Sequence, residues 1–268
     1  MATAARKNIF KLIDQAVREQ PLHKAFLTDV CSAIETRDMK SRGKPSPTYK
    51  PSSFVCMRQM YFVLTQAEMD SIRPEYGGIG MADTGTRRHE AIQEVLLDME
   101  KLGYDWRYFD VEEYLKIKWK QGKCRDIEVK GKRGAETRLY NKTLNISFMC
   151  DGIIQRISTG KFYLFEFKNQ VSFKANNKTD VDFDHKPQAD LYCFNLDLND
   201  VFFLYENRDV CSLDCFLYTV QEESKQACLD KIFECNGYVE RLICPPKHSD
   251  FKPCKWCNYK TECKKAGG

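Results

Sequence analysis

No apolar run in this 268-residue chain reaches the roughly 20 residues needed to cross a bilayer, so a membrane-spanning protein is not expected. Met1 to Phe10 lack the apolar core of a secretory signal, and Asp14 and Glu19 in the helix-like stretch that follows argue against a transit peptide. Charge of one sign is also scarce. Forty-two Lys and Arg face 38 Asp and Glu, a net charge of +4 that permits binding to a polyanion without requiring it. No G-x-x-x-x-G-K-[ST] loop occurs, which excludes a nucleotide-driven motor of that type. No internal repeat is found, so a solenoid is not expected. What the chain has in abundance is cysteine, thirteen in all. The number is odd, there is no export signal, and most spacings are irregular. A reducing, intracellular compartment fits better than a disulfide framework, with most cysteines serving as small buried apolar residues.

Hydrophobic residues at 43% and aromatics at 12% indicate a globular chain long enough to bury a real core. The spacing of Phe10, Ile13 and Val17, and of Phe26, Val30 and Ile34, predicts helix from Ala5 to about Thr36, divided at Pro21. A polar connector, Arg37 to Lys50, follows, and residues 1–50 read as a helical extension with its linker. Pro51-Ser52-Ser53 predicts a helix running to about Gln66, with Ser52 or Ser53 as its cap. Gly77-Gly78-Ile79-Gly80 reads as a flexible loop, followed by a helix from Asp83 to Leu102 that ends before Gly103. Alternating β-branched and aromatic segments predict strands within Tyr108–Lys130 and Thr137–Phe167. Helix is expected over Phe183–Leu198, strands at Val201–Tyr205 and Cys215–Val220, and a long helix over Glu222–Ile243, stopped by Pro245-Pro246. This order suits an α/β or α+β core with a helical layer at each end of the chain.

Two apolar segments carry acidic residues. One is Phe148-Met149-Cys150-Asp151-Gly152-Ile153-Ile154, the other Phe162-Tyr163-Leu164-Phe165-Glu166-Phe167-Lys168. Isolated buried carboxylates are expensive and need a partner charge or a metal. On a strand, Glu166 and Lys168 point the same way and Phe167 the other. Fifteen positions separate Asp151 from Glu166, a hairpin separation around Ser158-Thr159-Gly160, so the two carboxylates can meet on neighbouring strands. Hydrolysis of a phosphodiester uses such a set. Two carboxylates hold a hard cation such as Mg²⁺ or Mn²⁺, and a lysine stabilises charge developing on the phosphate. The bland alternative is a structural Glu166–Lys168 pair with Asp151-Gly152 in a turn.

The tail contains Cys254, Cys257 and Cys263, a C-x2-C-x5-C spacing that lets three thiolates share one metal centre with a fourth ligand from elsewhere. Zinc is one candidate, although zinc sites more often use two C-x2-C pairs. Cys244 is near in sequence and is one candidate for the fourth ligand.

Asp151-Gly152 followed by Glu166-Phe167-Lys168 resembles the signature of the PD-(D/E)XK nucleases. Gly85-Thr86-Arg87-Arg88-His89-Glu90 resembles the G-x-x-x-H-E segment of their RecB-like branch, and Gln188-Ala189-Asp190-Leu191-Tyr192 resembles its Q-x-x-x-Y motif. Ser52 to Phe62 resembles the S-x-x-x-C-x-R-x-x-Y-F stretch of the iron–sulfur members, the AddB type and the Cas-four type of CRISPR adaptation exonucleases. The likeness runs from Pro51 to Cys263 and departs in one place, since Cys150 rather than proline precedes Asp151. It implies a restriction-endonuclease-like α/β fold, a central mixed sheet flanked by helices, occupying residues 51–268, with a helical iron–sulfur subdomain built from both ends of that stretch. It implies a metal-dependent DNA exonuclease with catalytic Asp151, Glu166 and Lys168. Mg²⁺ or Mn²⁺ would be held by His89, Asp151, Glu166 and the Phe167 carbonyl. Cys56, Cys254, Cys257 and Cys263 would hold a 4Fe-4S cluster, and Gln188 and Tyr192 would contact DNA, with Tyr192 offering a ring for base stacking. Helicase, recombination or CRISPR-adaptation partners and a microbial or virus-infected cytoplasm follow from the same likeness. The alternative within this fold is an inactive or zinc-stapled DNA-binding module.

Overall fold

The computed structural model describes residues 22–41, 46–70, 76–133, 136–176, 178–247, 254 and 257–267. The chain divides into two compact units, one of residues 1–44 and 72–83, the other of 45–71 and 84–268. In the first, helix α1 (Leu22–Ser41) runs five residues past the expected end at Thr36; the helix expected before Pro21 lies outside the described residues.

The second unit opens with a 3-10 turn at Pro51–Ser53. Helix α2 (Met57–Leu64) begins only after it, with Cys56 at the N-cap. Neither serine caps this helix; Ser53 Oγ instead donates to the Lys50 carbonyl at 2.7 Å. Helix α3 (Tyr76–Asp98), whose residues 76–83 belong to the first unit, includes Gly77, Gly78 and Gly80, where a loop was expected. Among the described residues, no atom outside the helix's own neighbouring backbone lies within 4 Å of where a Cβ would sit at these glycines. They extend a helix whose amphipathic part starts near Asp83, against a propensity cost of about 1 kcal/mol each.

Strand β1 (Trp106–Phe109) leads into helix α4 (Val111–Lys120), which falls inside a stretch expected to be strand. Its aromatic and β-branched residues mimic a strand, but Asp110 accepts a hydrogen bond from Glu112 N–H at 2.8 Å. Glu112 and Glu113 lie in its first turn and Lys118 and Lys120 in its last, which complements the helix dipole. Val111, Tyr114 and Leu115 are the buried stripe.

A second sheet follows, three antiparallel strands in the order β2 (Ile127–Arg133), β3 (Glu136–Asn141), β4 (Ile146–Cys150). The main sheet is completed by β5 (Gly152–Arg156), β6 (Phe162–Gln170), β7 (Asp200–Asn207) and β8 (Ser212–Thr219), in the order β1-β5-β6-β7-β8. Only β6 and β7 run parallel, and the short helix α5 (Ser172–Ala175) and helix α6 (Lys186–Leu196) lie in their connection. Helix α7 (Glu222–Glu240) ends at Arg241 and Leu242, before the two prolines, and α8 (Lys260–Lys265) closes the tail. The architecture is mixed α/β.

The main sheet is apolar on both faces. Ile153, Leu164, Val201 and Phe203 share one core with Leu191 and Leu196 of α6 and Ile232 of α7. Ile154, Phe165 and Phe167 share the other with Ile92 and Leu96 of α3. The period-2 alternation of β6 therefore sends Phe165 and Phe167 toward α3, and Leu164 and Glu166 toward α6. Among the described residues, no helix is long and apolar enough to cross a membrane.

Candidate functional site

Asp151 sits between β4 and β5, where the chain passes from the small sheet to the large one. The pairing of Gly152 with Phe165 brings Asp151 beside Glu166, as the hairpin spacing required. Asp151 is 4% exposed and held on several sides. Its Oδ2 accepts from the Phe167 N–H at 2.7 Å. Its carbonyl accepts from Tyr108 OH at 2.8 Å and from the Gln93 amide. Gly152 is a strand residue rather than part of a turn. A Cβ there would come 2.3 Å from a Tyr108 ring carbon, so glycine admits the ring whose hydroxyl fixes Asp151.

Glu166 and Lys168 share a face of β6, and Lys168 Nζ donates to Glu166 Oε2 at 2.7 Å. Glu166 is 2% exposed, and its other oxygen, Oε1, is buried without a hydrogen-bond partner among the described residues. Burial, opposed by the Lys168 charge and reinforced by Asp151, holds the Glu166 pKa above the ordinary 4.5. Burial opposes charging of Lys168, but Glu166 and Asp151 outweigh it and raise its pKa, so this lysine is a fixed cation.

His89 reaches the site from α3. Its Nδ1 lies 3.2 Å from Asp151 Oδ1, off-line for a hydrogen bond, and its ring packs edge-on against Phe167 with centroids 4.9 Å apart. Burial works to lower its pKa; the contact with Asp151 prevails and raises it above 6.5. The preceding residue anchors the helix. Arg88 grips the buried Glu206 of β7 with both arms of its guanidinium, Nε at 2.9 Å, and Asn169 of β6 donates to the same carboxylate at 2.8 Å.

Sequence reasoning missed Glu136. At the start of β3, its carboxylate forms with His89 and Asp151 a trio of ligand atoms mutually within 4.8 Å. Glu166 stands outside that trio, on the α6 side of β6. The only signal in the sequence was one acidic residue near a hairpin tip, and its relevance depends on how the two sheets meet.

Gln188 and Tyr192 do share one face of α6: Gln188 Nε2 donates to Tyr192 OH at 2.6 Å. The expected role of Tyr192 as a stacking platform does not fit. Its ring is 2% exposed and already lies against Phe148 of β4, with centroids 5.6 Å apart. Gln188 is the partly exposed member of the pair.

Cys56, Cys254, Cys257 and Cys263 line one cavity of about 240 Å³, with Arg58 and Phe62. Among the described residues no three of these sulfurs lie within 4.8 Å of one another. Cys244 is not among the described residues lining the cavity, but it packs, as Cys257 and Cys263 do, on the apolar cluster of Phe62, Val63 and Tyr259.

No family model matches the chain, and no curated protein matches it. A solved structure described as "Crystal structure of SSO0001" is similar at 16% identity, over 92% of this chain and 98% of that one, with a TM-score of 0.45.

Proposed function

We propose that this protein is a divalent-metal-dependent phosphodiester hydrolase acting on DNA, an exonuclease on single strands or duplex ends with a restriction-endonuclease-like core. The observation that carries the reading is the buried, unpartnered Glu166 Oε1 beside Asp151, with a fixed lysine two residues on. An ionised carboxylate oxygen in such a place calls for a cation. Asp151, Glu166 and His89 would hold Mg²⁺ or Mn²⁺, with the Phe167 carbonyl as the backbone ligand and Glu136 as an added carboxylate. The bound ion would polarise the phosphoryl group and lower the pKa of a water. Asp151 needs little reorganisation to serve, because hydrogen bonds to its carboxylate and its carbonyl already fix it. Lys168 keeps its charge next to Glu166 and supplies positive potential to the phosphate during attack. Gln188, held by the buried Tyr192 hydroxyl, contacts the substrate.

The four cysteines around one cavity support a 4Fe-4S cluster. The cluster would tie the start of α2 to the tail and has no step in hydrolysis.

Incubation with end-labelled single- and double-stranded DNA in Mg²⁺, Mn²⁺ or EDTA tests the reading, with circular DNA to separate exonuclease from endonuclease action. Cleavage should need the metal, and Glu166→Ala should lower it about 10³-fold or more, the several kcal/mol that metal catalysis supplies. Activity that persists in EDTA, or binding without cleavage under every metal condition, overturns it.

A further inference from the structure

The tail that carries three of the cavity's cysteines contains a helix of only six residues, α8, too short to be stable alone. A free tail of this kind would fray unless a metal held it. The structure shows protein contacts that do the same work at both ends of α8. At the N-terminal end, Asp70, in the segment after α2, accepts from the backbone N–H of Lys260 at 2.7 Å and of Thr261 at 3.2 Å. The Asp70 N–H in turn donates to the Asn258 carbonyl at 2.8 Å. At the other end Arg58, on α2 and 6% exposed, donates to the carbonyls of Cys263 at 3.2 Å and Ala266 at 3.3 Å. Its Nε donates to the Pro245 carbonyl at 2.7 Å, just beyond α7. Helix ends leave N–H groups and carbonyls without partners, with partial positive charge at the N-terminus and negative at the C-terminus. An aspartate and an arginine supplied by one neighbouring segment satisfy both ends with the right sign. Between them Tyr259, 3% exposed, packs on Phe62, with ring centroids 5.7 Å apart. None of these contacts passes through a metal. Arg58 also donates to Cys263 Sγ at 3.2 Å, so the same guanidinium touches a cavity sulfur.

We propose that Arg58 and Asp70 dock the cysteine-bearing tail in the metal-free chain, assembling the four-cysteine pocket before its metal arrives, and that Arg58 then remains a hydrogen-bond donor to the Cys263 sulfur. The second half rests on the reading of the pocket as an iron–sulfur site; the first does not. Arg58 and Asp70 are positioning residues. Only a planar fork reaches three carbonyls and a sulfur together, which a lysine ammonium cannot do.

Amide hydrogen exchange on full-length metal-free protein decides the first half. Residues 260–267 of the wild type should be protected, and Arg58→Gln and Asp70→Ala should each speed exchange there about tenfold, with peptides from β6 unchanged as the control for folding. Arg58→Lys should rescue only part of the protection. A metal-free wild-type tail that exchanges as fast as an Arg58→Gln/Asp70→Ala double variant overturns docking, as does an Arg58→Gln tail with wild-type protection. Reconstitution with ferrous iron and sulfide decides the second half. Loss of the hydrogen bond to sulfur should lower the cluster's midpoint potential in Arg58→Gln, and equal potentials would refute the contact. If the wild type takes up no iron, the cluster reading and the second half fall together, while the exchange result still judges the docking.

Discussion

Asp151 is fixed by residues that the motif does not contain. Tyr108 and Gln93 hold its carbonyl, and Gly152 exists to admit Tyr108. Gly152→Ala should therefore destabilise the protein by about 1–3 kcal/mol, the usual range for overpacking, and should lower DNA cleavage as Asp151 shifts. Tyr108→Ala makes room for the new methyl, so the double variant should lose less stability than the sum of the two singles. Additive urea midpoints would show that the two side chains do not meet. The same cluster sets a pH dependence. Glu166 has a folded pKa above its ordinary 4.5, so ionising it costs folding free energy, and stability declines as pH rises through the interval above 4.5. His89, raised above 6.5, contributes stability that is complete below 6.5 and lost as pH rises through its folded value. Both signs agree. Metal-free protein should melt at lower temperature as pH goes from about 4.5 to above 7, and Mn²⁺ should remove that decline because it displaces the protons both groups retain. A melting temperature of metal-free protein that rises over this interval would contradict the assignment.

Elements bring together what single residues cannot. Helix α3 puts Arg88, His89, Ile92 and Gln93 on one side, so one helix clamps β7, faces Asp151 and fills the core behind Phe167. Helix α6 does the same from the opposite face, with Tyr192 buried and Gln188 partly exposed. The two should separate experimentally. Tyr192→Phe removes the part-buried hydrogen bond that holds Gln188, worth about 0.5–1.5 kcal/mol, and should lower the melting temperature while weakening DNA cleavage less than Gln188→Ala does. Gln188→Ala should raise KM for DNA or lower kcat with metal affinity unchanged. Tyr192→Leu, which removes the ring, raising KM for DNA with the fold and metal affinity intact would restore the ring as a substrate contact. The shared face of Glu166 and Lys168 and the pairing of Gln188 with Tyr192 were legible because each is a fixed spacing within one element. Helix α4 was not, because its residue types favour strand and only the Asp110 cap and the buried stripe decide for helix. Glu136 was not, because nothing local marks it.

At the scale of the whole molecule, the two ends of the second unit meet in the cysteine pocket, and this juxtaposition carries its own test. Cys56→Ser should lower bound iron, as should the same change at Cys254, Cys257 or Cys263, whereas Cys244→Ser should leave it in place. Iron assay of anaerobically purified variants reads the outcome. Stoichiometric zinc without iron, or iron lost from Cys244→Ser but kept in Cys56→Ser, would refute the ligand set.

The sequence by itself determined the hairpin that sets Asp151 beside Glu166, the shared face of Glu166 and Lys168, and the i, i+4 pairing of Gln188 with Tyr192. These follow from backbone periods of 2.0 and 3.6, which act over a few residues and are written in residue order. The tertiary structure alone decided three other matters. It buried the Tyr192 ring against Phe148, brought Glu136 from the second sheet to His89 and Asp151, and closed both ends of α8 with Asp70 and Arg58. Each joins groups from separate elements, 15 to 208 positions apart for these pairs. No local period links such partners; they meet only where the packing of sheets and helices leaves a buried charge or an open helix end to be satisfied.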